Sequence, residues 1–161
     1  MKGRTTAVLV TVAVVAGAAV AGVGLATSGS SKPRPVLRID EVHGLVGTVV
    51  LGETRQNVIG ALGAPASSVR DGSFLRYRHL VVRLVRGRVD SVETDDPSAE
   101  TDRVVRVGDP LSAVRAAYRK ASACNPNSPD KSAKHPRCRV TVPAGHLLIG
   151  GDPIRTITLA R

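Results

Sequence analysis

Two cysteines, Cys124 and Cys138, carry the most readily stated chemistry in this chain. They can close a disulfide, share a metal ion with His135 between them, or remain free thiols. A metal site here lacks a clear fourth ligand and any C-x-x-C spacing, whereas an oxidising compartment favours the disulfide. The intervening stretch, Asn125-Pro-Asn-Ser-Pro-Asp-Lys-Ser-Ala-Lys-His-Pro-Arg137, is polar and broken by prolines. Closing a loop of about 15 residues is worth roughly 3 kcal/mol in the chain-entropy account. A disulfide is therefore the expectation, with no metal and no cofactor.

Arginine supplies the second pattern. Arg76, Arg78, Arg83, Arg86 and Arg88 crowd one stretch, while Lys131, Lys134, Arg137 and Arg139 surround the second cysteine. With 23 Lys+Arg against 13 Asp+Glu, the net charge is +10. Such a pattern suits an anionic partner: a phosphate-bearing surface polymer, lipid headgroups or an acidic protein face. The plainer reading is a solvated, arginine-rich sheet face. Nucleic acid is not expected, because three aromatics (Phe74, Tyr77 and Tyr118) build no stacking platform and no recognition motif is present.

The remaining polar residues give weaker signals. His43, His79, His135 and His146 are scattered, although His79 and His146 fall near the starts of comparable strands. Ser, His and Asp all occur, but no G-x-S-x-G marks a nucleophile. Glu53 and Asp109 hold matching positions, which suggests acids in the first turn of a helix complementing its dipole. Asp95, Asp96, Glu100 and Asp102 fit no calcium-loop spacing and read as a solvated linker.

The elements that position these residues begin after a targeting segment. Lys2 and Arg4 precede an apolar, uncharged run with an A-x-A cleavage candidate at Ala19-Val20-Ala21. Residues 1–26 read as a signal peptide or, if uncleaved, a single-pass membrane anchor, and both place the body outside the cytoplasm. Losing Lys2 and Arg4 lowers +10 only to +8, so the basic character belongs to the body. Residues 27–45 form a Ser/Gly/Pro/Lys tether, and residues 95–102 an acidic linker. Between and after them lie two stretches, 46–94 and 103–161, that share a pattern. Setting Gly52 on Gly108 pairs Leu51 with Val107, Glu53 with Asp109, Val58 with Val114 and Ala61 with Ala117. Thr54 is a helix N-cap, Pro110 suits a first turn, and Gly63-Ala64-Pro65 stops the first helix. Short β-prone runs follow, with Arg86-Gly87-Arg88 as the clearest turn. The expected fold is α+β: two tandem repeats, each a short helical segment followed by an antiparallel β-meander.

The stretch Leu51-Gly52-Glu53-Thr54-Arg55-Gln56-Asn57-Val58 … Ala61-Leu62-Gly63-Ala64-Pro65 resembles the G-M-T-x-x-x-V … L-G-x-P opening of the small SmpA/OmlA (BamE-like) envelope lipoproteins. In that family a short helical segment precedes a three-stranded antiparallel sheet. A tandem version of a similar unit is the scaffold of the secreted β-lactamase inhibitor protein family. The resemblance implies an extracytoplasmic binding or scaffold module. It carries over no functional residue, since this chain lacks both a lipid-accepting cysteine and an aromatic binding face.

The functional expectation is a non-enzymatic, extracytoplasmic module that binds an envelope protein or an anionic polymer through the arginine-rich sheet. One alternative is a secreted inhibitor of an extracellular enzyme, inserting the loop from Asn125 to Arg137 into its target. Another is a hydrolase whose site a single sequence does not reveal.

Overall fold

The computed structural model describes residues 35–69, 72–119, 122–125 and 137–161. The apolar run at the amino terminus and the loop between the cysteines lie outside these residues. Apolar side chains alternate inward along most strands, as a sheet with one packed face requires. In chain order the elements are β1 (Leu37–Asp40), β2 (Leu45–Val46), β3 (Val49–Val50), α1 (Arg55–Leu62), β4 (Ser67–Val69), β5 (Phe74–Arg76), β6 (Leu80–Val85), β7 (Arg88–Thr94) and β8 (Ala99–Thr101). They continue with α2 (Leu111–Ala117), β9 (Ser122–Asn125), β10 (Arg137–Val142), β11 (Gly145–Gly150) and β12 (Thr156–Ala160).

Eight strands form one sheet in the order β4-β5-β6-β7-β12-β11-β10-β9. The two up-and-down runs meet where β7 pairs antiparallel with β12. Across that junction Leu75, Val82, Val92, Leu159, Leu147 and Val140 are direct register neighbours and fully buried. Val58 of α1, Leu111 and Val114 of α2, and Ile39, Val46 and Val49 join the same core. The helices and the second sheet therefore cover one face. That second sheet has the order β3-β2-β1-β8, and its β1–β8 pairing is parallel, matching Leu37 with Ala99 and Ile39 with Thr101.

This architecture corrects the expected α+β pair of tandem helix-and-meander repeats. The described residues are mostly β, with two sheets and two helices of eight and seven residues. The larger sheet runs unbroken instead of dividing into units. Stretches assigned above to the tether and the acidic linker supply β1 and β8. There Ile39, Ala99 and Thr101 are fully buried, and burial outweighs the polar composition around them.

Local turn chemistry follows the residues closely. Thr54 caps α1 by accepting from the Asn57 amide at 3.3 Å, and Gly63 ends it at φ +80°. Ahead of each helix the chain makes the same turn. The Glu53 amide bonds the Val50 carbonyl at 3.3 Å and the Asp109 amide bonds the Arg106 carbonyl at 3.2 Å. Each acid also reaches back with its side chain, Glu53 to the Val50 amide (3.0 Å) and Asp109 to the Arg106 amide (2.8 Å). The acids thus close turns outside the helices rather than sitting in their first turns. Pro110 holds the N-cap position of α2, and the Leu111 amide donates to Asp152 at 3.1 Å. Arg86 and Gly87 both take positive φ, the type I′ signature of a two-residue hairpin between β6 and β7.

Candidate functional site

The face of the eight-stranded sheet opposite the core is the candidate binding surface. Register places Arg76, Val81, Glu93, Thr158, Leu148 and Arg139 in one row across it. Phe74, Arg83, Ser91, Ala160, His146 and Thr141 form the next row. Arg76, Arg83 and Arg139 are exposed, while Phe74, Val81 and Leu148 are half-buried between them. A groove of about 280 Å³ runs among Phe74, Val81, Arg83, Glu93, Leu148 and Thr158. Five strand steps of ~4.8 Å put Arg76 and Arg139 roughly 24 Å apart, so the cations flank a wide, shallow surface.

Of the five arginines singled out by spacing, only Arg76 and Arg83 share this face in one continuous region. Arg83 lies 3.6 Å from Asp90, an ion pair too solvated to contribute much. Arg78 lies exposed in the connection before β6, beside His79. Arg86 and Arg88 sit at the far end of β6, where Arg88 Nη1 donates to the Gly52 carbonyl at 3.0 Å. From 78 to 86 an extended chain covers roughly 26 Å, so the cluster in sequence is a spread in space. Lys131 and Lys134 fall outside the described residues.

The cysteines are resolved plainly: Cys124 and Cys138 are direct cross-strand partners on β9 and β10 and are joined by a disulfide. A disulfide is compatible with an extracytoplasmic location. No helix among the described residues is long and apolar enough to cross a membrane.

His43, His79 and the linker acids have local partners. His43 Nδ1 lies 2.8 Å from Asp40, and His79 Nδ1 lies 2.9 Å from Asp95. Bonds from the backbone amide and ring of His43 hold the Asp40 carboxyl below its ordinary range. His146 lies on β11 with Nδ1 buried and unpartnered. Glu100 receives Arg106 Nε at 2.6 Å, and Asp96 accepts from the Ser98 amide at 2.8 Å.

Composition and spacing did not reveal a second polar constellation. Glu41, in the turn after β1, is buried, and its carboxylate accepts the Tyr118 hydroxyl. Tyr118 Oη also lies 2.8 Å from Thr101 Oγ1. One phenolic proton serves one acceptor, so the Thr101 hydroxyl donates to the phenolic oxygen. The Glu41 amide donates to Asp102 Oδ2 at 2.8 Å, and its carbonyl accepts from the Ala144 amide at 3.0 Å. Burial pushes the Glu41 carboxyl above its ordinary range, against the opposing pull of the Tyr118 hydrogen bond. Burial, then Glu41, likewise holds the Tyr118 phenol above its own. The contact spans 77 positions, and nothing local in the sequence announces it.

No protein-family model, curated protein or solved structure matches this chain.

Proposed function

We propose that this protein is a non-enzymatic, extracytoplasmic binding module that engages an anionic partner, an envelope protein or a surface polymer, on the uncovered face of its eight-stranded sheet. The observation that carries this reading is the contrast within single strands: alternate residues build a dry core on one side and leave Arg76, Arg83 and Arg139 exposed on the other. A sheet face bearing fixed cations and half-buried apolar side chains offers both long-range attraction and contact area. The body's net charge of +8, the chain's +10 less Lys2 and Arg4, extends that attraction beyond the face itself. The apolar amino-terminal run and the disulfide support a position outside the cytoplasm, and the resemblance to envelope modules agrees with it.

The test is retention of the full chain on immobilised polyphosphate, compared with an Arg76→Ala/Arg83→Ala/Arg139→Ala variant. Wild type is expected to bind at low salt and elute as ionic strength rises, with the triple variant eluting much earlier. Identical elution profiles would remove this face from the function.

A further inference from the structure

We propose that the cleft beside Tyr118 is a binding site for a small carboxylate carried on a short apolar body. The cleft has a volume of about 410 Å³. Its walls include Ala116, Ala117, Val142 and Pro143, and its charged lining is Glu41, Arg103 and Arg119. It shares Thr141 with the edge of the open sheet face, but none of its lining residues belongs to the groove there or is Arg76, Arg83 or Arg139, so this site stands or falls independently of the proposed function.

Arg103 is held ready for an anion. Its guanidinium carbon lies 5.3 Å from the centre of the Tyr118 ring, and Nη1 donates to the Ala117 carbonyl at 3.3 Å. Stacking and one hydrogen bond fix the fork while its other N–H groups remain available. Among the described residues Arg103 makes no ion pair. A guanidinium so placed matches the two oxygens of a carboxylate. Arg119 adds a second, exposed cation to the lining. The apolar walls supply the complement to a short aliphatic body, which a bare inorganic anion lacks.

Glu41 sets the condition for binding. Ionised, it would repel an incoming carboxylate, whereas its neutral form would not. The groups facing it are Tyr118 and Arg119 from the end of α2, and Thr101, Asp102 and Arg103 from the end of β8. The end of β10 and the turn after it bring Thr141, Val142 and Pro143 and no charge. Asp40 and His43, on Glu41's own turn, are paired with each other. Burial raises the Glu41 carboxyl above its ordinary range, and an anion bound nearby pushes it further in the same direction.

The experiment is a titration of the full chain with butyrate, read from backbone amide chemical shifts at about pH 5.5 and about pH 8, with inorganic phosphate as the comparison anion. Saturable shifts are expected at Ala116, Ala117 and Val142, with tighter binding at the lower pH and weaker binding of phosphate. Arg103→Ala should weaken butyrate binding roughly tenfold, and Arg103→Lys by less, because charge without the fork keeps part of the interaction. Glu41→Gln should bind butyrate equally at both pH values. The site is refuted by absent or unsaturable shifts, by wild-type affinity in both Arg103 variants, or by phosphate binding as tightly as butyrate. An undiminished pH dependence in Glu41→Gln refutes the part assigned to Glu41.

Discussion

On the covered face of the eight-stranded sheet, Leu147 and Leu159 are fully buried; one residue away, His146 and Thr158 look toward the open face. The same strands therefore carry stability on one side and accessible charge on the other. What differs is how polar groups are treated. The buried ones are each held by a partner: Glu41 and Thr101 in a network with Tyr118, Thr94 on the His79 carbonyl and Glu100 on Arg106, while Arg76 and Arg139 on the open face carry no ion pair among the described residues. Buried polarity is expensive unless satisfied, and exposed charge costs little to leave alone. The difference teaches where substitutions should hurt folding and where they should touch only binding.

The sharpest way to break this division is Leu147→Ala, which opens a cavity in the middle of the core. A loss of about 2–5 kcal/mol in denaturant-unfolding stability is expected. Next comes Tyr118→Phe, which keeps the ring in place and strips the Glu41 carboxyl of its donor. Urea unfolding should register a loss of about 1–3 kcal/mol, the cost of leaving a buried acceptor unsatisfied.

Glu41→Gln tests the same network through pH. The folded state holds the Glu41 proton more tightly than the unfolded chain, whose carboxyl titrates near 4.5. Its contribution is thus fully present below that value and is lost as pH rises through the elevated folded value. Glu41→Gln should flatten this decline in thermal-melt midpoints recorded across pH and raise stability on its alkaline side. Asp40 has the opposite sign: its lowered value stabilises above 3.8 and is lost under more acidic conditions, so the two contributions separate along the pH axis. The smallest effect belongs to the open face, where Arg83→Ala should change unfolding stability by no more than about 0.5 kcal/mol. A large loss there would mean that the open face helps hold the fold, and the division drawn above would fail.

Features written in short range were legible before the structure. Thr54 and Gly63 mark the ends of α1, Arg86-Gly87 the hairpin, and Cys124 with Cys138 the disulfide, because capping, turn and pairing chemistry each rest on a few nearby residues. The matching of Gly52 with Gly108 was a true signal, but of a shared turn, since its hydrogen bonds close within four residues. The second sheet was hidden because β2 and β3 are two residues each, too short to show a period, and β1 finds its partner in β8 only across nearly half of the body. The Glu41 network was hidden for a related reason. An acid beside a turn, a tyrosine ending a helix and a threonine ending a strand are each ordinary alone. Only tertiary pairing makes them a unit. The arginines show the converse: Arg78 and Arg86 are near in sequence yet spread in space, because β6 carries its two ends apart.

The position of β12 has a consequence for the order in which this molecule can be completed. Thr156–Ala160, the last described strand in chain order, lies in the middle of the sheet between β7 and β11. A chain that emerges amino terminus first reaches β7 and β11 before the strand that joins them exists. Until it arrives, each presents a bare row of backbone donors and acceptors, ready to pair with any extended chain nearby. Final closure is therefore a long-range event at the centre of the sheet, the slowest kind of contact to form by chain diffusion.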